Sequence, residues 1–213
     1  MTVRETDEVA ALYDGVKRIM ETDDGAGRQI GACQYGVYLF YDYDGEPIYV
    51  GQTEESLRTR VGRHLTGQRT DAVAKSVLDP FEVAEIEIWP FWDLEGDGKA
   101  HAKATLNKAE FTVYQKALRE SAFNIVLNEE EIAETELVEL PPSLRATILT
   151  AEDRRQREHP DVRLARRART IANLARVISE RRVKVGIRRT LWAQAQRLEK
   201  LAKTRLDAVD GGD

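Results

Sequence analysis

Apolar residues first recur with helical spacing at Val9, Leu12, Tyr13, Val16, Ile19 and Met20, which predicts an amphipathic helix over residues 6–21. Thr6 is its expected N-cap, with Asp7 and Glu8 in the first turn, and Asp23, Asp24, Gly25 and Gly27 end it. Over residues 34–51 the pattern turns to aromatic and β-branched residues divided by Asp44-Gly45, the signature of a β-hairpin with a two-residue loop. Leu57, Val61 and Leu65 predict a short helix over 55–65. Ala84, Ile86 and Ile88 alternate with Glu85 and Glu87, which reads as a half-exposed strand over 82–89. A Gly- and Asp-rich loop (93–99), a longer helix (about 101–119) and a short extended piece (123–127) follow.

Beyond that point the composition changes. Residues 129–139 hold six glutamates and lead into Pro141-Pro142, which marks a boundary. Val162, Leu164, Ala168, Ile171, Leu174, Ala175 and Ile178, then Ile187, Leu191, Trp192, Ala195, Leu198, Leu201 and Leu206, have helical spacing, so the tail reads as two long helices broken near Gly186. The expected division is an N-terminal helix (1–29), a mixed domain (30–128), an acidic, proline-containing linker (129–142) and a basic helical region (143–213). The net charge of −5 conceals −14 over residues 1–142 and +9 over residues 143–213. Such asymmetry points to nucleic acid or another polyanion. A lone Cys33 excludes an internal disulfide framework and a cysteine-rich zinc site. With no signal-like start and no long apolar run, the expectation is a cytoplasmic protein.

Three places carry candidate chemistry. On the helix over 101–119, Leu106, Val113, Tyr114 and Ala117 form a stripe in which Glu110 stands where a leucine would be expected. A buried carboxylate needs a cation or several donors, so Glu110 is either a paired structural acid or a metal-binding or catalytic one. On the helix over 55–65, Arg60 and His64 lie on one flank of the Val61 stripe, at the edge of the buried face. In the hairpin, the two-residue loop pairs Tyr43 with Glu46, Phe40 with Tyr49 and Tyr38 with Gly51. Tyr38 and Tyr49 then share a face, and Gly51 leaves the space above the Tyr38 hydroxyl open.

Gly36-Val37-Tyr38 followed by Tyr49-Val50-Gly51 resembles the paired tripeptides of the GIY-YIG nuclease superfamily, and the later motifs follow in order. The stretch 59–64 is similar to that family's first helix, Glu110 to its single glutamate, and 121–124 to the segment ending in its asparagine, Asn124. The resemblance covers about residues 34–128 and implies an α+β fold, a small GIY-YIG-type β-sheet flanked by helices, with the N-terminal helix and an all-α C-terminal region added. It implies a DNA endonuclease that uses Mg²⁺, with Mn²⁺ as a substitute. Glu110 is the implied metal ligand, Tyr38 the general base and Arg60 the contact to the scissile phosphate. His64 and Tyr49 would position water or move protons, and Asn124 would tie the site together. Many relatives carry lysine immediately after the second tripeptide, where this chain has Gln52; Arg58 is a candidate substitute. The Arg and His on the first helix of a short chain most resemble the type II restriction enzymes. A repair, mobile-element or structure-specific nuclease, and a non-catalytic DNA- or partner-binding protein on a nuclease scaffold, stay open.

Between Arg154 and Arg189 there are 13 Arg or Lys against three acids, a density that suits a phosphate-tracking surface. Expected DNA contacts are Arg58, Arg63, Arg166, Arg167, Arg169, Arg181, Arg182, Arg188 and Arg189. The same helices could instead dock on the mixed domain or on a second protomer of a homodimer.

Overall fold

The computed structural model describes residues 7–65, 78–128 and 132–211. Thr6 and Arg69 lie outside them. Four strands, β1 (Gly36–Tyr41), β2 (Pro47–Thr53), β3 (Glu85–Pro90) and β4 (Leu144–Thr147), form one antiparallel sheet in the order β2-β1-β3-β4. Among the described residues six helices surround it: α1 (Asp7–Met20), α2 (Leu57–Leu65), α3 (Lys99–Glu120), α4 (Ala151–Arg157), α5 (Pro160–Glu180) and α6 (Val185–Asp210).

Both faces of β1 are covered, so the strand is apolar at nearly every position and buried at all six. Tyr38 and Phe40 point to a core shared with Leu12 and Ile19 of α1, Val61 of α2, Leu174 of α5 and Ile187 of α6. Val37, Leu39 and Tyr41 point to the other core, against Leu106, Ala109 and Val113 of α3. The same two-sided burial corrects the reading of β3 as half-exposed. Glu87 is 8 % exposed and accepts hydrogen bonds from the Tyr41 hydroxyl (2.7 Å), Lys116 Nζ (2.9 Å) and Ser143 Oγ (2.8 Å). A carboxylate in that position is stable because three donors satisfy it.

The hairpin register is as expected at Tyr38↔Gly51 and Phe40↔Tyr49, but Tyr41 pairs with Pro47, leaving a bulge at Ile48. The Asp42 backbone N–H bonds the Glu46 carbonyl at 3.0 Å, so the loop has three residues, and the bulge restores the register of a two-residue loop. The 123–127 segment is irregular, touching the sheet through Leu127 N–H to the Ile48 carbonyl (2.8 Å).

The C-terminal region is joined to the sheet through β4, which begins just after the boundary expected at 142/143. Helices α5 and α6 supply three buried arginines, Arg163, Arg167 and Arg197, 3 to 4 % exposed. Arg163 grips the Asp44 carboxylate with two hydrogen bonds (2.9 and 2.6 Å). Arg167 bonds Glu82 and Asp42, each at 2.9 Å, and Arg197 also pairs with Asp42. Asp42 in turn accepts the backbone N–H groups of Asp44 (2.9 Å) and Glu46 (3.0 Å). The β1–β2 loop is therefore closed by the C-terminal helices. The chain break that separates α5 from α6 is at residues 181–184, and Gly186 lies inside α6.

Candidate active site

The two tripeptides lie side by side at the edge of the sheet. Their glycines are places of close approach. A Cβ on Gly51 would sit 2.5 Å from both Cζ and the hydroxyl oxygen of Tyr38, and a Cβ on Gly36 would sit 2.7 Å from Leu57. The space opposite Tyr38 is thus not left open, as the sequence suggested; the Tyr38 ring itself lies across Gly51. Tyr38 and Tyr49 stack with ring centroids 6.4 Å apart, the diagonal relation expected from the register.

Helix α2 brings His64 and Arg60 to the same place. His64 is 5 % exposed, its Nδ1 is 3.1 Å from the Tyr38 hydroxyl oxygen, and its ring meets Tyr49 edge-on at 4.3 Å. Which of the two atoms donates depends on the imidazole tautomer. Arg60, one turn earlier, is half-buried. Burial works against its charge, but Tyr38, Tyr49 and Glu55 beside it raise its pKa, so it stays a cation. Its Nε is buried without a hydrogen-bond partner among the described residues. Arg60 also lines a cavity of about 440 Å³ with Gln52, Thr53, Glu54 and Glu55. A guanidinium at the wall of a cavity is suited to a phosphate oxygen.

Glu110 comes from α3. Burial pushes its carboxyl up to about 7, and the Arg60 guanidinium pulls the other way. Among the described residues no three His, Cys, Asp or Glu side chains group to hold a metal ion. Glu110 is a hard oxygen donor with a desolvated charge to satisfy. It fits a divalent ion whose remaining positions are filled by phosphate oxygens and water, a set that suits Mg²⁺.

Gln52 donates from Nε2 to Asn107 Oδ1 (2.8 Å), three residues before Glu110, and its Oε1 is buried without a partner among the described residues. Arg58 does not take its place. It reaches the opposite way, to Gln29 Oε1 (2.8 Å) and the Met20 carbonyl (3.5 Å).

Tyr38, Tyr49, Arg60 and His64 are brought together, with Glu110 in electrostatic reach through Arg60. Asn124 is not. It is exposed, in a left-handed turn conformation (φ 52°) after α3. The asparagine that ties the strands is Asn128, which sequence reasoning missed. Its Nδ2 donates to the Val50 carbonyl (2.8 Å) and its Oδ1 accepts the Val50 N–H (3.1 Å). It thereby pairs with the outer edge of β2 between Tyr49 and Gly51, as a further strand would. The available signal was an asparagine ending an extended segment.

The expected DNA-contacting arginines separate into two groups. Arg167 is buried in the loop-closing network, where a phosphate cannot reach it. Arg63 pairs with Glu55, and Arg166 pairs with Glu8 at 3.3 Å and lies over Phe81. Arg169, Arg181, Arg182, Arg188 and Arg189 are exposed. No helix among the described residues is long and apolar enough to cross a membrane.

Neither curated proteins nor solved structures give a match to the chain. Residues 34–94 match the model of the GIY-YIG catalytic domain, a span that takes in both tripeptides, α2 and β3 and ends before Glu110. Tyr38, Tyr49, Arg60 and His64, which the structure clusters, all fall within the matched span.

Proposed function

We propose that the protein is a divalent-metal-dependent DNA endonuclease, and that the observation carrying this is the Tyr38–His64 hydrogen bond beside Arg60 and the half-buried Glu110. Hydrolysing a phosphodiester requires deprotonated water in line with the leaving oxygen and a cation against the growing phosphorane charge. Arg60 supplies a fixed positive charge for the scissile phosphate. His64 Nδ1 accepts the Tyr38 proton, so that the phenolate oxygen can take one from water; a free phenol, with a pKa of about 10, needs that help at neutral pH. Tyr49 holds the His64 ring edge-on and limits its rotation. Asn128 holds β2, and hence Tyr49 and Gly51, in register. Glu110 would hold Mg²⁺, or Mn²⁺ in its place, and the ion would supply charge neutralisation at the phosphate.

The finer reading is a type II restriction-like enzyme, supported by the placement of Arg60 and His64 one turn apart on α2. A plasmid cleavage assay with Mg²⁺ or EDTA, comparing wild type with Glu110→Gln, tests the nuclease reading. Equal cleavage by the two proteins would refute the site. Discrete fragments with a common end sequence would support the restriction role, and nicking at random or at branched structures would overturn it.

A further inference from the structure

A second cavity, of about 310 Å³, opens beside the Asn128–Val50 clamp, between α3 and the start of α6. Tyr114, one turn beyond Glu110, forms one wall; Asn124, Asn128, Arg189 and Trp192 are among the others. Trp192 is 57 % exposed although it is among the largest apolar side chains of the protein. Val185, seven residues earlier on the same face of α6, is 64 % exposed. Two turns of helix thus keep an aliphatic and an aromatic side chain in solvent, with Arg188 and Arg189 between them. The sequence around this face holds no acid from residue 181 to residue 198, while Arg181, Arg182 and Arg188 are all exposed.

An aromatic platform, a hydrogen-bonding amide and one arginine beside a small cavity, with further exposed arginines close by in the sequence, match what a single nucleobase needs. The rings stack on indole, the base edge meets an amide, and the phosphates on either side meet guanidinium groups. The volume lies at the small end for ligand sites, too small for a folded partner's side-chain cluster and adequate for one ring system. Asn124, exposed and in a left-handed turn, is among the residues that line the cavity.

Resting on the nuclease reading, we infer that this cavity receives one unstacked base of the DNA substrate on Trp192, so that the enzyme favours DNA in which a base near the cut is unpaired or readily extruded. The test is binding rather than cleavage, on the full-length Glu110→Gln protein, by fluorescence anisotropy with a fluorescein-labelled duplex bearing a one-base bulge and with its fully paired counterpart. The bulged duplex should bind more tightly. Adding Trp192→Ala should weaken that binding on the order of 10- to 100-fold, the range of a lost base–aromatic stack, and abolish the preference. Trp192→Phe should retain most of both. Replacing Arg181, Arg182 and Arg188 with alanine should instead weaken both duplexes and lower the salt slope by about 2 to 3. Equal binding of the two duplexes, or an unchanged affinity in Trp192→Ala, would overturn the inference. So would a DNA-free dimer, seen by sedimentation, that Trp192→Ala dissociates, because the face would then belong to a second copy. Because Trp192 is exposed, a matching thermal melt for the variant is expected. Failure of the nuclease reading would show separately, as absent cleavage by wild type.

Discussion

Replacing Glu110 with glutamine is expected to stabilise the metal-free protein above neutral pH while removing cleavage. Burial moves the Glu110 carboxyl from an ordinary 4.5 to about 7 in the folded chain. The neutral acid is therefore favoured by folding and the carboxylate disfavoured. As pH rises from about 4.5, the unfolded chain gives up this proton first, and folding stability falls until the folded carboxyl has also ionised near 7. At about 1.4 kcal/mol per pH unit, the deficit reaches about 3 kcal/mol above pH 8 and is absent below pH 4. Glutamine keeps the shape without the charge. Urea unfolding in EDTA at pH 5, 6, 7 and 8.5 should show wild type and Glu110→Gln converging at the acid end and separating by about 2 to 3 kcal/mol at pH 8.5, the variant being the more stable. Added Mg²⁺ should narrow the gap by stabilising wild type alone. A variant no more stable than wild type at pH 8.5 would show that Glu110 is already satisfied by protein groups, and that no desolvated carboxylate is held ready for a cation.

Gly51→Ala should lower stability by about 1 to 3 kcal/mol and reduce cleavage sharply, since the new methyl displaces the Tyr38 ring; a thermal melt and a plasmid assay check both. Arg167→Ala should destabilise by about 3 to 5 kcal/mol by removing the closest cation from Glu82 and one of those on Asp42, whereas Arg169→Ala should stay within about 0.5 kcal/mol, both read from urea midpoints. Asn128→Ala should lose about 1 to 3 kcal/mol of stability with a matching loss of turnover, while Asn124→Gly, which suits a left-handed turn, should leave melting unchanged. His64→Ala should alter the pH profile of the cleavage rate; an unchanged profile would remove His64 from the proton path.

The parts of the site that lie on one regular element, or on two joined by a short turn, were legible in the sequence. Arg60 and His64 share a flank of α2 because of the helical repeat. Tyr38 faces Gly51 because the hairpin register is set nearby, even though a longer loop and a bulge, rather than a two-residue turn, establish it. What the sequence hid depends on distance along the chain. Asn128 pairs with Val50 across 78 residues, and Arg197 reaches Asp42 across 155. Neither has a local pattern to announce it. Charge also misled: Glu87 and Arg167 have the alternation and density of solvent-facing residues, yet each is buried among partners that balance it. Strand β4 is four residues of alternating half-buried and exposed positions, too short for periodicity to detect.

The closure of the β1–β2 loop by Arg163, Arg167 and Arg197 has a bearing on when the hairpin can first be completed. During synthesis, the strands that carry Tyr38 and Tyr49 leave the ribosome long before the last of these arginines. At the ordinary pace of about 5–20 residues per second, the interval from Asp42 to Arg197 is on the order of 10 to 30 seconds. Arg163 and Arg167 emerge before Arg197, so Asp42 gains its cations in two stages and the network around the loop is complete only with the second. A loop closed in this order stays unfinished until α6 has been made as far as Arg197, and products truncated before that residue lack its contact to Asp42.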